Sequence, residues 1–489
     1  MILAAIPGTP LNNPPGQQEV DTTNVQGDVY PGFPKKKEDF ILFQISDSAK
    51  FKQALPKLKV TTTADVFKHR QDIKEAKARQ SNSLISMSLL NVAFSRKGIN
   101  KLGITQLINP YEALDPFETS QLAMARRLGD PGTYESSGFQ PHWEEVFKNA
   151  IDGVFIVAGE SPKSVNNQIT YVKELFGDAI QEVYRLSGSL RPGSQQARAR
   201  TLRMFTRRDG ISNPALQNVP GSQPSLPGQR EVLPGLILCG HEGDLVSHRP
   251  EWTYEGSYLA FRKLEQLVPE FHKFLADNPI PEIPDRKHGS QLRGARLFGR
   301  WPSGAPTKLA PTEDDPKLGG DPLRNNKFNF PSDQGDSGQS ACPYSAHIRK
   351  TNPRNDIREF MVKRSTIIRA GIPYGPELTE YEKENHITTE SRGLAFVCYQ
   401  SSLSRGFQLV QEVWQAWANE PRFTGNRGIV PGFDPIIGQN HGGKRDTMAT
   451  SGGPQLVLPR DYVISRGGEY FFVPSIKALK TILAGAPAP

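Results

Sequence analysis

Cysteine is scarce in this sequence, with three residues, Cys239, Cys342 and Cys398, in a chain of 489. An odd and sparse set does not make the disulfide framework that holds small secreted domains together. Cys398 follows the apolar run from Leu394 to Val397 and is typical of a small buried hydrophobic residue. The fold is therefore expected to depend on a hydrophobic core rather than on cross-links.

Long hydrophobic runs are also missing. No stretch approaches the roughly 20 apolar residues of a membrane span, so no membrane-spanning helix is expected. The first residues, MILAAIPGTPLNNPPGQQ, lack the basic segment and the apolar core of a signal peptide. On this basis a cytoplasmic protein is expected, with an already processed extracellular protein as the alternative.

Several motifs of common enzyme classes are absent. The sequence contains no HExxH, paired Cys-x-x-Cys, GxSxG or Walker pattern, which argues against a dedicated zinc site, a hydrolase elbow and a phosphate loop. The net charge is +8, but basic and acidic residues are interleaved along the chain. A solvated basic surface is the simplest interpretation, with attraction of anionic substrates as the alternative; no nucleic acid partner is expected.

Glycine and proline are abundant, with 44 and 41 residues, and they predict long ordered loops around two or three domains. Residues 1–24 are rich in Pro, Gly, Asn and Gln and predict a disordered tail. A stretch dense in Gly, Pro, Ser and Arg, residues 187–235, marks the middle of the chain. Residues 278–345 show little periodicity and predict a long insert that is functional or disordered.

Strand-then-helix units recur in both halves of the chain. Apolar runs predict buried strands at FILFQI (40–45), LNVAFS (90–95), GVFIVAG (153–159), GSYLAFRKLE (256–265), RGLAFVCYQ (392–400) and EYFFVPSI (469–476). Ser161 and Pro162 predict a helix start, followed by apolar residues at helical spacing from Val165 to Phe176. A four-stranded α+β unit in each half, residues 25–220 and 221–489, fits this pattern better than one doubly wound sheet.

Several segments, in order along the chain, carry a resemblance to a known family. They are NVQGDVYPGFPKKKEDFILFQI, FTRRDGISNPAL, GSYLAFRKLEQLVPEF, LFGRWPSGAPTKLAPTEDDP, CPYSAHIRKTNPR, IIRAGIPYGP, RGLAFVCYQSSLSRGFQ and DPIIGQ. Together they resemble the dye-decolorizing peroxidases, and the middle segments resemble the fungal-type branch of these haem peroxidases. The resemblance implies an α+β fold of two ferredoxin-like domains, of the dimeric α/β-barrel type, with one haem b held mainly by the second domain.

On the proximal side, the resemblance implies that His347 binds the haem iron through a neutral imidazole. Asp434 matches the acid that accepts a hydrogen bond from this histidine and increases its imidazolate character. The alternative for Asp434 is a turn residue before Pro435. Arg349, two residues after His347, is a candidate partner for a haem propionate.

On the distal side, Asp209 matches the acid that takes a proton from peroxide and returns it to the departing oxygen. Arg369 matches the arginine that stabilises negative charge as the O–O bond breaks. Leu394 and Phe396 match apolar residues that line this side of the haem. The motif departs from the family at Thr206-Arg207-Arg208, where a glycine and apolar residues are usual, and two added cations favour ionised Asp209.

Bulky dyes cannot reach a buried haem and need a redox-active side chain as an electron relay. Tyr374, Trp414 and Trp417 are the candidates. Phe407, Val410, Trp414 and Trp417 share one helical face, so core packing is the alternative for both tryptophans.

The predicted activity is therefore peroxidase, with hydrogen peroxide as acceptor and bulky dyes or phenolic aromatics as reductants. One alternative is another haem enzyme on the same scaffold, with deferrochelatase-like or oxygenase activity. A second alternative is a non-catalytic haem-binding protein. The departure at residues 206–208 favours a weakened peroxidase.

Overall fold

Nine antiparallel strands form the largest sheet in the computed structural model, which describes residues 19–79, 85–110, 112, 115–191, 211–330, 341–414, 431–448 and 455–486. The strands of the described residues are β1 Lys37–Ile45, β2 Ser88–Phe94, β3 Gly132–Glu135, β4 Gly138–Pro141, β5 Gly153–Gly159, β6 Ile180–Ser189, β7 Ala215–Leu216, β8 Glu231–Val232, β9 Ser257–Gln266, β10 Ile368–Arg369, β11 Ile372–Tyr374, β12 Gly393–Gln400, β13 Arg445–Met448, β14 Gln455–Leu458 and β15 Val463–Val473. The pairs β3–β4, β7–β8 and β13–β14 form small separate ribbons.

Helices cover the sheet from outside. They are α1 Ser48–Ala54, α2 Thr63–Ala78, α3 Arg96–Lys101, α4 Pro116–Thr119, α5 Gln121–Met124, α6 Pro162–Phe176, α7 Val268–Asp277, α8 Arg286–Phe298, α9 Pro316–Gly320, α10 His347–Thr351, α11 Glu359–Arg364, α12 Glu380–Asn385 and α13 Ile476–Lys480. A π-helical segment spans Leu409–Trp414. None of the helices in the described ranges is long and apolar enough to cross a membrane.

The large sheet consists of two four-stranded halves that close on each other. The first half has the order β6-β1-β5-β2 and the second β15-β9-β12-β11. In each half the first and third strands are central, which is the ferredoxin-like arrangement. One pairing, Phe472 with Phe94, joins β15 to β2, and one, Tyr374 with Gly188, joins β11 to β6. The predicted α+β fold of two ferredoxin-like halves is confirmed, and the ring of strands is closed.

The core occupies the inside of this ring. One cluster of buried side chains takes residues from all eight strands of the ring, among them Phe40, Leu89, Ile156, Leu186, Leu259, Ile372, Val397 and Phe471. A second cluster lies outside, where α1 and α6 cover the first half. Because the strands are buried on both faces, their sequences are nearly continuous apolar runs, which is why they were predictable.

The structure confirms most predicted elements and shifts one. Strand β5 spans the predicted GVFIVAG segment, and Ser161 caps α6 through the N–H of Ser164, with Pro162 at the first position. The late strand is longer than predicted and ends earlier, at Val473. The chain turns into α13 there because the Ser475 side chain caps that helix.

The structure corrects the end of one predicted loop region and shows two helices in another. The predicted tail, 1–24, is too long at its end: Val20 is buried, and the N–H of Asp21 and Nδ2 of Asn24 both donate to Glu255, at 2.8 and 2.6 Å. Residues 1–18 lie outside the described residues. The predicted insert, 278–345, contains α8 and α9; Asp285 caps α8, and Gly299, at φ 84°, ends it.

The proposed boundary between residues 220 and 221 remains a prediction. It falls between β7 and β8, which pair in parallel with each other. All three cysteines are buried and unpaired.

An acidic pair lies within the ring near the first half. Glu38, on β1, is fully buried and binds Nζ of Lys35 at 2.5 Å. Asp28 accepts a 2.6 Å hydrogen bond from the hydroxyl of Tyr399, on β12 of the other half. Burial, against the opposing charge of Lys35, raises the pKa of Glu38 to about 8.

Candidate active site

A large cavity lies against the outer face of the second half of the ring. Its volume is about 1470 Å³, beyond the ~300–1,000 Å³ usual for small-ligand pockets. Strands β9 and β12 supply one wall through Leu264, Leu394 and Phe396, and the ends of α8 and α10 face them with Phe298 and His347. The predicted proximal histidine and both predicted apolar residues therefore line one cavity.

Strand alternation explains which residues face the cavity. Ala395 and Val397 point into the ring, so Leu394 and Phe396, one position away on β12, point outward. Arg369, on β10, pairs with Cys398 of β12. Directly opposed residues share a face, so Arg369 lies on the cavity side with Phe396. Arg369 is itself a lining residue.

His347, at the wall of the cavity, forms a side-chain hydrogen bond with Asp434. Nδ1 of His347 lies 2.8 Å from Oδ2 of Asp434, whose side chain is fully buried. The other carboxylate oxygen, Oδ1, accepts from the N–H groups of Ile436 and Ile437 at 2.8 and 3.1 Å. An ionised carboxylate here places the imidazole proton on Nδ1, which leaves the Nε2 lone pair for a metal.

The environment of Asp434 favours this ionised form. Burial alone would keep the carboxyl neutral, but the charge and hydrogen bond of His347, together with two backbone N–H groups, lower the pKa of Asp434 below its usual value. The turn reading of Asp434 is compatible with this, since its side chain binds the N–H groups that follow Pro435.

A group of arginines approaches the cavity from the side of β10. Arg230, Arg300, Arg354 and Arg369 all line it. Burial, followed by the charge of Arg369, lowers the pKa of Arg300 to about 10. Burial and the charges of Arg300 and Arg230 lower the pKa of Arg354 to about 9. Neighbouring cations that disfavour one another's charge favour an anion placed between them.

Arg354 is held firmly in this group. Its guanidinium donates to the carbonyl of Phe328 at 2.6 Å and to Oδ1 of Asn326 at 2.6 Å, and it lies 3.9 Å from the centre of the Phe328 ring. Its backbone is left-handed, at φ 50°, which is uncommon for a residue other than glycine. Nη2 of Arg300 has no hydrogen-bond acceptor among the described atoms.

The structure does not support the prediction that Arg349 binds a haem propionate. Its side chain is fully buried away from the cavity and forms a two-point ion pair with Asp356, at 2.6 and 2.8 Å. It also donates to the carbonyl of Cys342 at 2.6 Å and stacks 3.8 Å from the Tyr344 ring. Sequence reasoning missed Arg300 and Arg354, although both lie in segments that carried the family resemblance, LFGRWPSGAP and HIRKTNPR.

Other predicted site residues are placed less completely. Asp209 and the departure at 206–208 lie outside the described residues, as does Trp417. Trp414 ends the π-helical segment, and its side chain is not described. Tyr374 is only 4% exposed and lies under Lys263, 5.3 Å from its ring centre. A bulky dye cannot touch a ring buried in this way, so Tyr374 can act only as an inner step of a relay.

The residues present fit a haem. A haem would need an apolar cavity, one nitrogen to bind the iron and cations for two propionates. Leu394, Phe396 and Phe298 would supply the first, His347 the second and the arginine group the third. Among the described residues no three or more His, Cys, Asp or Glu side chains are close enough to hold a bare metal ion. A single histidine before a large cavity suits an iron whose other ligands belong to a macrocycle.

Comparison with protein families identifies both halves of the chain. Residues 24–192 match the DyP dimeric alpha+beta barrel domain, and residues 240–423 match the Dyp-type peroxidase C-terminal domain. The chain belongs to the dye-decolorizing peroxidase family. It is an oxidoreductase, and the family consists of haem peroxidases.

Individual relatives agree with this family membership. The chain is 37% identical to a dye-decolorizing peroxidase of Mycena epipterygia, over 95% of this chain and 87% of the relative. It is 38% identical to one of Auricularia auricula-judae, over 98% and 90%. Peroxidase 2 of Mycetinis scorodonius is 40% identical, over 95% and 88%.

Solved structures show the same fold. An ancestral D-type dye-decolorizing peroxidase superposes with a TM-score of 0.87 at 44% identity, covering 96% of this chain and 100% of that structure. A variant of the Pleurotus ostreatus enzyme also gives 0.87, at 42% identity, covering 95% and 100%. A deferrochelatase of Yersinia pestis matches only 42% of this chain, at 26% identity. The relatives therefore favour a dye-oxidising haem peroxidase over the chelatase, oxygenase and carrier alternatives.

Proposed function

We propose that this protein binds one haem b per chain and uses hydrogen peroxide to oxidise bulky dyes and phenolic aromatics. The observation that carries the proposal is the His347–Asp434 hydrogen bond at the wall of a cavity that Arg369 also lines. When bound, haem supplies the iron at which peroxide is reduced and through which aromatic reductants return the electrons. Peroxide takes up two electrons and two protons and leaves as two water molecules.

On the proximal side, His347 offers Nε2 to the iron. Asp434 fixes the tautomer and the orientation of the ring, and because it is ionised it makes the imidazole a stronger donor. The two backbone N–H groups on Oδ1 keep the carboxylate from turning away from His347.

On the distal side, the Arg369 guanidinium stabilises negative charge on peroxide oxygen as the O–O bond breaks. Asp209 takes the proton from one peroxide oxygen and gives it to the other, which departs as water. Leu394 and Phe396 keep this side of the cavity apolar, which strengthens the electrostatic effect of Arg369.

The propionates of haem belong with the arginine group rather than with Arg349. Arg300 is buried and Arg354 is half-buried; both line the cavity near two further cations, and this is the setting in which carboxylates bind with least competition. Fixed guanidinium groups would orient the macrocycle and set how far it enters the cavity.

A spectroscopic titration tests the proposal. Haem added to the protein should give one equivalent of bound chromophore, and His347→Ala should lose or loosen it. The holoprotein should bleach an anthraquinone dye and oxidise small phenols only when peroxide is present. A haem band without peroxide-dependent turnover would instead indicate a carrier, and iron release without dye oxidation a chelatase.

A further inference from the structure

One side chain, that of Asn213, binds both main-chain polar groups of Arg369. Nδ2 of Asn213 donates to the carbonyl oxygen of Arg369 at 2.8 Å, and Oδ1 accepts from the N–H of Arg369 at 3.2 Å. These are the two bonds that a residue of a neighbouring strand would make. Asn213 also lines the cavity, yet 156 positions separate it from Arg369 in sequence.

The position of Arg369 explains why such a partner is needed. Strand β10 has two residues, lies at the edge of the sheet and, among the strands of the described residues, pairs with β12 alone. The N–H of Ala370 donates to Val397 of β12, so the N–H and carbonyl of Arg369 point to the open edge. A primary amide carries a donor and an acceptor on two separate atoms, so it can bind the N–H and the carbonyl of one residue together.

Asn213 is itself held in place. Its own carbonyl accepts from Nε2 of Gln229 at 2.9 Å. Pro214 follows, which restricts Asn213 to an extended backbone, and Ala215 then pairs with β8. The amide therefore reaches Arg369 from a fixed backbone, with little conformational entropy left to lose.

A second anchor lies one residue further along. Nζ of Lys35 donates to the carbonyl of Ala370 at 2.6 Å. Two consecutive carbonyls, of Arg369 and Ala370, are thus bound by side chains from different parts of the chain. This leaves little freedom in the backbone from which the distal guanidinium extends.

We propose that Asn213 is a positioning residue for Arg369: by serving as a substitute strand, it sets the place from which the guanidinium meets peroxide. The inference rests on the proposed role of Arg369 in peroxide activation. Electrostatic stabilisation of this kind depends on donors that are already in place, and a displacement of ~1 Å can cost ~10²-fold in rate.

Anion binding to the ferric holoprotein gives a readout that does not depend on turnover. Fluoride bound at the iron is stabilised by a nearby hydrogen-bond donor, so its affinity reports on the position of Arg369. Asn213→Ala should keep haem content and the optical spectrum of the resting protein, weaken fluoride binding about tenfold or more, and slow the reaction with peroxide by ~10–10²-fold. Asn213→Gln, which keeps the amide, should recover part of both losses.

The matched control is another asparagine whose side-chain amide donates to a main-chain carbonyl but which lies away from the cavity. Nδ2 of Asn385 donates to the carbonyl of Tyr381 at 2.9 Å, on the exposed surface of α12. Asn385→Ala should change neither fluoride affinity nor peroxide rate. If Asn213→Ala does not fold, Asn213→Ser serves in its place, because it stays polar and neutral but is too short to bind both main-chain groups of Arg369.

A double-mutant cycle separates positioning from a general structural effect. In an Arg369→Ala background, Asn213→Ala should cause no further loss, because the two residues act through one group. Independent, additive losses would overturn the inference, and so would wild-type fluoride affinity and peroxide rate in Asn213→Ala. If Arg369→Ala alone leaves both quantities unchanged, the proposed role of Arg369 fails as well, and the two failures are distinguishable.

Discussion

Asp434 binds His347 with one carboxylate oxygen and two backbone N–H groups with the other, so the acid that orients the histidine cannot rotate without losing all three bonds. The rigidity of the proximal side therefore comes from a turn, whose N–H groups would otherwise be unpaired. A shift of the backbone at Ile436 or Ile437 would therefore change the orientation of the imidazole ring.

Asp434→Asn should loosen the haem. If the amide oxygen keeps the turn, the NH2 group faces Nδ1 of His347 and favours the tautomer with its proton on Nε2, which cannot bind a metal. The amide also carries no charge to strengthen the imidazole. We expect haem to be lost ~10–100-fold faster, as is usual for the partners of metal ligands. Transfer of haem to apomyoglobin measures this rate. Asp277→Asn, a change in an exposed ion pair with Lys273, is the control; equal rates in both variants would contradict the prediction.

Asp209→Asn should slow the first reaction with peroxide by about 10²-fold or more, the usual contribution of acid–base catalysis, while haem content is kept. Stopped-flow absorbance after mixing with peroxide gives the rate. A near-wild-type rate would move proton transfer to another group and leave Asp209 as a turn residue.

Arg349 and Arg354 should respond differently to removal of charge. Arg349→Met breaks a buried ion pair with Asp356 and should lower stability by ~3–5 kcal/mol without changing haem affinity in the folded fraction. Arg354→Met should weaken haem binding because it removes a cavity cation. Denaturation curves and haem titrations on both variants measure the two effects. If haem affinity falls in Arg349→Met and not in Arg354→Met, Arg349 rather than Arg354 binds a propionate.

Glu38→Gln should flatten the dependence of stability on pH. Because the pKa of Glu38 is raised from 4.5 to about 8 in the folded protein, folding takes up a proton between these values. The wild-type protein therefore loses stability as pH rises through this window, and the variant lacks this loss. In chemical denaturation, the free energy of unfolding of the variant minus that of the wild type should be larger at about pH 9 than at about pH 5. Parallel curves for the two proteins would show that Glu38 does not titrate in this range.

Trp414→Ser should reduce turnover of a large anthraquinone dye about tenfold or more, or ~1.4 kcal/mol, and spare small phenols and the peroxide reaction. Tyr374→Phe should leave dye turnover unchanged, since its ring is buried and a bulky dye cannot touch it; a loss of dye turnover would make Tyr374 an inner step of the relay. Unchanged dye turnover in both variants, or equal loss for dyes and phenols, would assign these residues to packing.

The local elements were predictable because their signals are local. Strand β5 is a single apolar run, and the start of α6 has a capping serine followed by proline. The closure of the ring was not predictable. One of its two joins is the pairing of Phe94 with Phe472, and nothing in the sequence around these residues indicates that they pair. The choice of Arg349 failed for a geometric reason: at 3.6 residues per turn, a side chain two positions along α10 lies about 200° around the helix from His347.

The closed ring also has a consequence for biosynthesis. β15, at Val463–Val473, pairs with β9 and touches β2, so both strands keep an open edge until this late segment leaves the ribosome. Val463 and the turn after Asp434 complete the cavity wall as well. Cofactor loading should therefore follow synthesis rather than accompany it, and ribosome-bound or truncated chains should depend on chaperones to keep these edges from aggregating.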